Sequence, residues 1–274
     1  MKIIGVVENT TISPDLKAKH GLSIYIETNK HHILFDLGPN NLLVKNAKKL
    51  KIDLNDIDTV IISHGHKDHG GGLKYFLKHN HHAKIYIHKE AFDRHTTPVF
   101  GIKFNCGINS NYKNHPQVIL TDGQFDIDNE LTLFSNVVGN ECLSLSNNDL
   151  YMEKDGKVLN DDFHHEQNLL IKDNGKVLLL AGCAHRGIVN IVKTAKTILG
   201  TEPDICIGGF HLYNPVSKKT ESEELINLIS DQLFKTKTKY YTCHCTGEKA
   251  YIHLKSVHPT KDIGYLSTGS ILEI

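Results

Sequence analysis

The sequence predicts an α/β protein built as an αββα sandwich, with two sheets face to face and helices outside. Three observations carry this expectation. Hairpin-rich strands followed by helix–strand units occur once in each half of the chain. Asp58–Ser63 (DTVIIS), with Val60-Ile61-Ile62 at its centre, and Val177–Ala181 carry continuous apolar runs, as buried strands do. At 274 residues, 39% hydrophobic and 23% charged, the chain can bury a full core, and one domain over residues 1–274 is expected.

The elements follow in order. Met1–Asn9 reads as a first strand, being too short an apolar run for a signal peptide. Gly21–Thr28 alternates apolar and polar residues, and His32–Leu37 is a short apolar run. Together they form a hairpin turning at Asn29-Lys30. Pro39 opens a helix through about Leu50, with Leu42, Leu43, Ala47 and Leu50 on one face. The strand Asp58–Ser63 is followed by a helix over Gly70–Lys78 and a strand at Lys84–His88. Residues 94–115, weakly patterned and holding Pro98, Gly101 and Gly107, read as a long structureless loop of the kind that serves as a lid or substrate loop. Strands resume at Glu130–Val138, Asn168–Lys172 and Val177–Ala181, the last pair turning at Asn174-Gly175. Helices near Ile188–Leu199 and Glu221–Phe234 alternate with strands at Asp204–Gly208 and Tyr240–Cys243, and a final strand or two close the chain.

Composition excludes several classes of function. With 31 basic and 31 acidic side chains, no global field draws nucleic acid or an anionic membrane. No stretch approaches the roughly 18 apolar residues that a membrane span needs. The six cysteines form no C-x-x-C pair, so they are expected to be reduced thiols in the cytoplasm. Histidine is abundant at 19, but His31-His32, His79, His81-His82 and His164-His165 sit among polar residues and are expected as surface runs.

The sharpest motif is Ser63-His64-Gly65-His66-Lys67-Asp68-His69-Gly70-Gly71-Gly72. A strand end delivers His64 and His66 at a spacing of two, so their side chains point the same way. The chain then turns, and Asp68 with His69 faces a second point nearby. Two imidazoles for one cation, and a carboxylate with an imidazole for another, begin a paired-metal site. Three more histidines each follow a buried strand beside glycine: His185 in VLLLAGCAHRG, His211 in ICIGGFHL and His244 in YYTCHCTG. His185 and His244 are read as ligands, His211 as a proton donor. Cys243 and Cys245 are expected on the opposite side of a strand from His244, as packing residues.

The pattern His64-x-His66-x-Asp68-His69 resembles the signature of the metallo-β-lactamase superfamily. Further runs are similar to one branch of it, the dihydropterin-ribofuranosylaminobenzene-phosphate synthases. They are Glu8-Asn9, His20-Gly21-Leu22-Ser23, Ile33–Gly38, Asn46-Ala47, Ile52-Asp53-Leu54, Ala181–Ile188, Gly208–Leu212 and His244–Gly247. The resemblance implies the metallo-β-lactamase fold and two divalent ions. Zinc comes first for such a histidine-rich, carboxylate-poor set, and iron, manganese or nickel are accommodated too. One ion would take His64, His66 and His185, and the other Asp68, His69 and His244. Many superfamily members place a metal-bridging Asp where this chain has Cys183, which is read as a supporting residue. A thiolate bridge and a bridging water are the open alternatives. Asp36 matches an aspartate that fixes the orientation of a ligand histidine. His165, in His164-His165-Glu166-Gln167, is the main rival to His185.

For substrate contacts, Thr246-Gly247 would open a helix whose free N–H groups hold a phosphate, and Arg186 and Lys67 would add charge. The expected function is hydrolysis of a small phosphorylated molecule, a phosphoester or phosphodiester, by a metal-activated water, with Asp68 and His211 acting in catalysis. The resemblance also implies an alternative, a transferase joining a dihydropterin methyl carbon to an aminobenzene ribofuranosyl phosphate with loss of pyrophosphate. A non-catalytic metal or metabolite sensor is a third reading. A di-iron redox centre ranks last, since no flavin domain follows the sandwich.

Overall fold

A computed structural model describes residues 1–257 and 263–274. Two seven-stranded sheets form its centre. The first runs, in spatial order, Ile271–Glu273, Lys2–Val7, Ser23–Glu27, His32–Phe35, Thr59–Ile62, Lys84–His88 and Val118–Thr121. The second runs Ile263–Tyr265, Lys239–Thr242, Ile205–Gly208, Lys176–Leu180, Asn168–Asp173, Leu131–Phe134 and Gln124–Asp126. Each sheet is antiparallel on one side and parallel on the other, so the two halves repeat one plan. The two turns predicted for hairpins are present. Thr28 N–H bonds His31 O around Asn29-Lys30, and Asn174 and Gly175 both take the positive φ that a tight two-residue turn requires.

Strand periodicity divides the apolar residues into layers. Phe35 and Ile61 of the first sheet pack on Leu133, Leu169, Leu178 and Leu180 of the second. Their neighbours Leu34, Val60 and Ile62 turn outward onto Leu43 and Phe76 of the first helical layer. Leu179 and Cys206 turn onto Ile188–Leu199 and Glu223–Leu233 in the other. The result is the four-layer αββα sandwich. The helix Glu223–Leu233 starts where Ser222 caps the Leu225 N–H, and Ile188–Leu199 stops at Gly200 with φ 72°.

Several predicted bounds shift for local reasons. The first helix begins at Leu42 rather than Pro39, because Asn40 Oδ1 accepts the Leu42 N–H at 2.9 Å in a preceding turn. The helix expected over Gly70–Lys78 is two short pieces, Lys67–Gly70 and Leu73–Phe76. The break has a steric cause: a Cβ on Gly72 would lie 2.0 Å from Leu37 O, and one on Gly71 2.4 Å from Pro39 O. The glycines let the His64–His69 turn press against the loop after Phe35.

Residues 94–115 are the larger correction. They are not structureless. Arg94–Val99 and Ile102–Asn105 form a hairpin that pairs with Tyr151–Lys154 and Lys157–Asn160 in a third, four-stranded sheet. Every residue of Ile102–Asn105 is exposed, so it lacks the half-buried alternation that marks a strand in sequence. Tyr151–Lys154, far downstream, pairs with Arg94–Val99 and so holds the hairpin from a distance in sequence. Among the described residues no helix is long and apolar enough to cross a membrane.

Candidate metal centre

The site lies at the C-terminal ends of parallel strands from both sheets, where open α/β sheets offer a crevice. Thr59–Ile62 leads into Ser63-His64, Lys176–Leu180 into Cys183 and His185, Ile205–Gly208 into His211, and Lys239–Thr242 into His244. The turns are tight. Asp36, Ala184, His211 and His244 all hold φ between 50° and 63°, a left-handed conformation costly for side chains other than glycine. Such strain, of order 1 kcal/mol or more per residue, gathers at functional sites. Gly182 adds a close approach: a Cβ there would lie 2.2 Å from Ser63 Oγ and 3.2 Å from His64 Nδ1.

The predicted ligands converge in two sets. In one, Asp68 Oδ2 lies 3.2 Å from His244 Nε2 and 3.6 Å from His69 Nε2, and the two imidazole nitrogens are 3.2 Å apart. In the other, His64 Nε2 lies 3.0 Å from His66 Nδ1, and the His185 ring stands edge-on to both at 5.0 and 5.1 Å between centroids. Cys183 stands between the sets rather than behind them. Its Sγ is 3.2 Å from His69 Nε2 and falls within 4.8 Å of ligand atoms of His64 and His185 on one side and His69 and His244 on the other. A supporting role, as read from sequence, does not describe that position.

The hydrogen-bond network fixes which ring nitrogens are free. Asp36 Oδ2 holds the Nδ1–H of His69 at 2.6 Å, leaving Nε2 as the atom that can ligate. Asn9 donates to His244 O and accepts from Gly21 N, so its oxygen faces His244 Nδ1 at 3.0 Å. Asn147 likewise donates to His185 O and turns its oxygen to His185 Nδ1 at 3.0 Å. His64 Nδ1 is 2.9 Å from Ser63 Oγ. Thus the Nε2 atoms of His64, His69, His185 and His244 all turn inward, each placed to give a lone pair to a cation. Lone pairs facing each other at about 3 Å repel, and the repulsion vanishes when a cation lies among them. The donor set therefore fits divalent metal ions.

Electrostatics agree. Burial pushes His64, His66 and His185 well below the ordinary imidazole value, keeping them in the neutral form that ligates. Burial would raise Asp68, but His69, His20 and His244 hold it well below the usual carboxylate range. For His69 burial acts downward and is outweighed by Asp36 and Asp68, which lift it to about 9, so with no cation bound its Nε2 holds a proton that a metal ion would displace.

Other predicted residues sit elsewhere than expected. The lone pair of His165 accepts the Gly65 N–H at 2.9 Å, and its Nε2 faces Asp161 at 3.2 Å. The geometry thus gives His185, not His165, the place beside His64. Arg186 spends its guanidinium on Asp162 O and Val137 O, bracing loops instead of meeting substrate. Thr246 is fully buried, bonded to Thr242 Oγ1 and to Phe210 N, and the Gly247 N–H is taken by His244 O at 3.3 Å. Neither residue offers a free group to a phosphate. Cys245 is the reverse case. Residues His244–Thr246 form a 3-10 turn, strand alternation stops, and Cys245 faces the cavity with its Sγ 3.3 Å from His211 N. His211 lines the same cavity, 7% exposed, with both ring nitrogens unpartnered.

Besides Asn147, sequence reasoning missed three contributors. His20 Nε2 meets Asp68 Oδ2 at 3.2 Å, and its ring lies 4.7 Å from that of His244. Glu8 Oε1 accepts the His244 N–H at 2.7 Å, and Glu166 accepts those of His185 and Arg186 at 2.7 and 2.9 Å. The runs Glu8-Asn9 and His20-Gly21, noted only for resemblance, were the available signal.

The cavity over these groups is small, about 130 Å³. Thr97 and Cys106 of the third sheet, Leu150, and Pro215 with Val216 complete its walls. Its charged lining is acidic, Asp68 and Asp149, with no Lys or Arg among the described residues.

This sandwich, with histidines gathered at the strand ends, is the metallo-β-lactamase fold, and the chain is similar to the superfamily of that name. The superfamily model matches residues 16–129. Among particular relatives, an uncharacterised protein of Methanocaldococcus jannaschii is 29% identical over 93% of this chain and 95% of its own. The 7,8-dihydropterin-6-methyl-4-(β-D-ribofuranosyl)-aminobenzene-5'-phosphate synthase of the same organism is 29% identical over 85% of this chain and 83% of its own. The crystal structure of Tm1679, a metal-dependent hydrolase of the β-lactamase superfamily, superposes with a TM-score of 0.83 at 26% identity. That match covers 100% of this chain and 99% of the other.

Proposed function

We propose that the protein is a hydrolase that uses two divalent cations, zinc in the first place, to cleave a phosphoester or phosphodiester. One observation carries this reading: two sets of imidazole and carboxylate groups converge side by side on a single cavity. His64, His66 and His185 would hold one ion, Asp68, His69 and His244 the other, and Cys183 reaches both. When bound, such ions acidify water and offset charge developing on the substrate.

The chain's own groups do the rest. Asp36, Asn9, Asn147 and Ser63 lock the ligand rings in one tautomer, so little reorganisation accompanies binding. Asp68, held ionised by three imidazoles, presents its carboxylate at the cavity floor. His211 has two ring nitrogens without protein partners and opens on the cavity, which suits it to protonate a leaving oxygen. Leu150, Pro215 and Val216 give the cavity an apolar wall.

The relative named as a synthase supports a second reading, in which the same centre assists departure of a diphosphate and a flat ring occupies the apolar wall. Metal content and turnover of an aryl phosphodiester decide between them, compared in the wild type, His66→Ala and His185→Ala. About two metals per chain, with metal and turnover lost in both variants, supports the hydrolase. Metal without turnover in the wild type refutes it and favours the transferase.

A further inference from the structure

The cavity opens beside a second, larger depression, and the two share His20, Asp68 and Cys106. This groove has a volume of about 1060 Å³ and lies between the His66–Gly71 turn and the 105–112 segment. Its character is opposite to that of the cavity. Lys19, Lys67 and Lys74 line it, Tyr75 and Tyr112 offer half-buried rings, and Asp68 is its one carboxylate. None of the three ammonium groups enters an ion pair or side-chain hydrogen bond among the described residues. Six other lysines, including Lys89 and Lys193, are each matched to a carboxylate. In a chain of zero net charge, three unmatched cations in one concave surface form a local positive field.

From this we infer that the groove seats a second anionic group of the substrate, a phosphate monoester remote from the bond that reacts at the metal centre. The reading rests on the hydrolase assignment and names its substrate class: a small molecule with its reacting end in the cavity and a phosphorylated tail among Lys19, Lys67 and Lys74. The tyrosine rings give a sugar or base beside that phosphate an apolar surface. Three cations suit one phosphate group. A polynucleotide, which draws its affinity from many phosphate contacts, would need a longer basic track.

The test is calorimetric binding of adenosine 5'-monophosphate and of adenosine to the metal-loaded protein. It compares the wild type, the triple variant Lys19→Ala/Lys67→Ala/Lys74→Ala and the triple Lys→Arg variant. The nucleotide is expected to bind the wild type more tightly than the nucleoside. The alanine variant should lose roughly tenfold for the nucleotide, about 1.4 kcal/mol, and nothing for the nucleoside. The arginine variant should keep wild-type affinity within about threefold, since the charge remains. Equal binding of nucleotide and nucleoside, or nucleotide binding indifferent to the alanine changes, would overturn the inference. Failure of the hydrolase reading shows separately, as absent phosphodiester turnover in the wild type.

Discussion

Replacing Asp36 by Asn probes the logic of the centre without changing its volume. Asp36 is fully buried and accepts three hydrogen bonds, from Ser63 N and Ser63 Oγ at 2.7 Å each and from His69 Nδ1 at 2.6 Å. An asparagine that keeps its oxygen on Ser63 N turns its NH2 toward His69. That group can only donate, so His69 Nδ1 must become the acceptor and the ring proton moves to Nε2. The lone pair that Nε2 would give a cation, 3.2 Å from His244 Nε2, is then lost. Changes to groups that orient metal ligands typically cost about 10–100-fold in affinity, or roughly 1.4–2.7 kcal/mol. The loss should fall on one of two sites. Competition with a chromophoric chelator would show one ion bound as in the wild type and the other weakened by that factor. Metal-free protein should be destabilised less than the metal affinity falls, because the reversed hydrogen bond remains satisfied. Unchanged affinity at both sites in Asp36→Asn would refute the tautomer argument, and with it the assignment of His69.

Three further outcomes are expected. Asn147→Ala removes the oxygen that holds His185 Nδ1 at 3.0 Å, and should weaken the other ion about tenfold in the same competition assay. Gly209→Ala places a Cβ 2.4 Å from Cys245 Sγ and 3.0 Å from Gly182 O, so the fold must shift. A stability loss of about 1–3 kcal/mol is expected from denaturant unfolding, and an unchanged midpoint would contradict the packing described. His31→Gln tests a pH effect away from the centre. Burial lowers the His31 pKa, but Asp58 at 2.9 Å and Asp128 at 2.7 Å outweigh it and raise it above 6.5. A raised folded value means that stability is fully present below pH 6.5 and is lost as pH rises through the folded value. The variant should therefore be less stable than the wild type near pH 5.5 and converge with it near pH 9. A gap that widens with pH would show the sign to be wrong.

How much of this was legible before folding depends on the range of the interaction concerned. Asp58–Ser63 announces a buried strand because Val60, Ile61 and Ile62 are apolar in succession. The turn His64–His69 points to metal because four residues of ligating type, three His and one Asp, sit within six positions at a strand exit. Ile188–Leu199 shows its apolar face with a period near 3.6 and ends at its own glycine, so its bounds could be read locally. These features are written in neighbouring residues.

Whatever depended on distant partners was not. The hairpin at 94–105 is stabilised by Tyr151–Lys154, and its exposed strand has no periodicity of its own. Arg186 looked available beside a ligand, until the fold brought Asp162 O and Val137 O to its guanidinium. Cys245 looked like packing while Tyr240–Cys245 was read as a continuous strand. The 3-10 turn at His244 swings its sulfur into the cavity instead. The choice between His165 and His185 likewise belongs to the tertiary structure. Each lies near a strand end and either could ligate by type, but the Gly65 amide, 100 residues from His165 in sequence, occupies the lone pair of one and leaves that of the other free. Sequence by itself determined the sandwich and the histidine and carboxylate types gathered at its strand ends, because those follow from residue type and local spacing. Only the folded chain decided which lone pairs face each other and which cations remain unpaired, because directionality at about 3 Å is set by groups that come together from every part of the sequence.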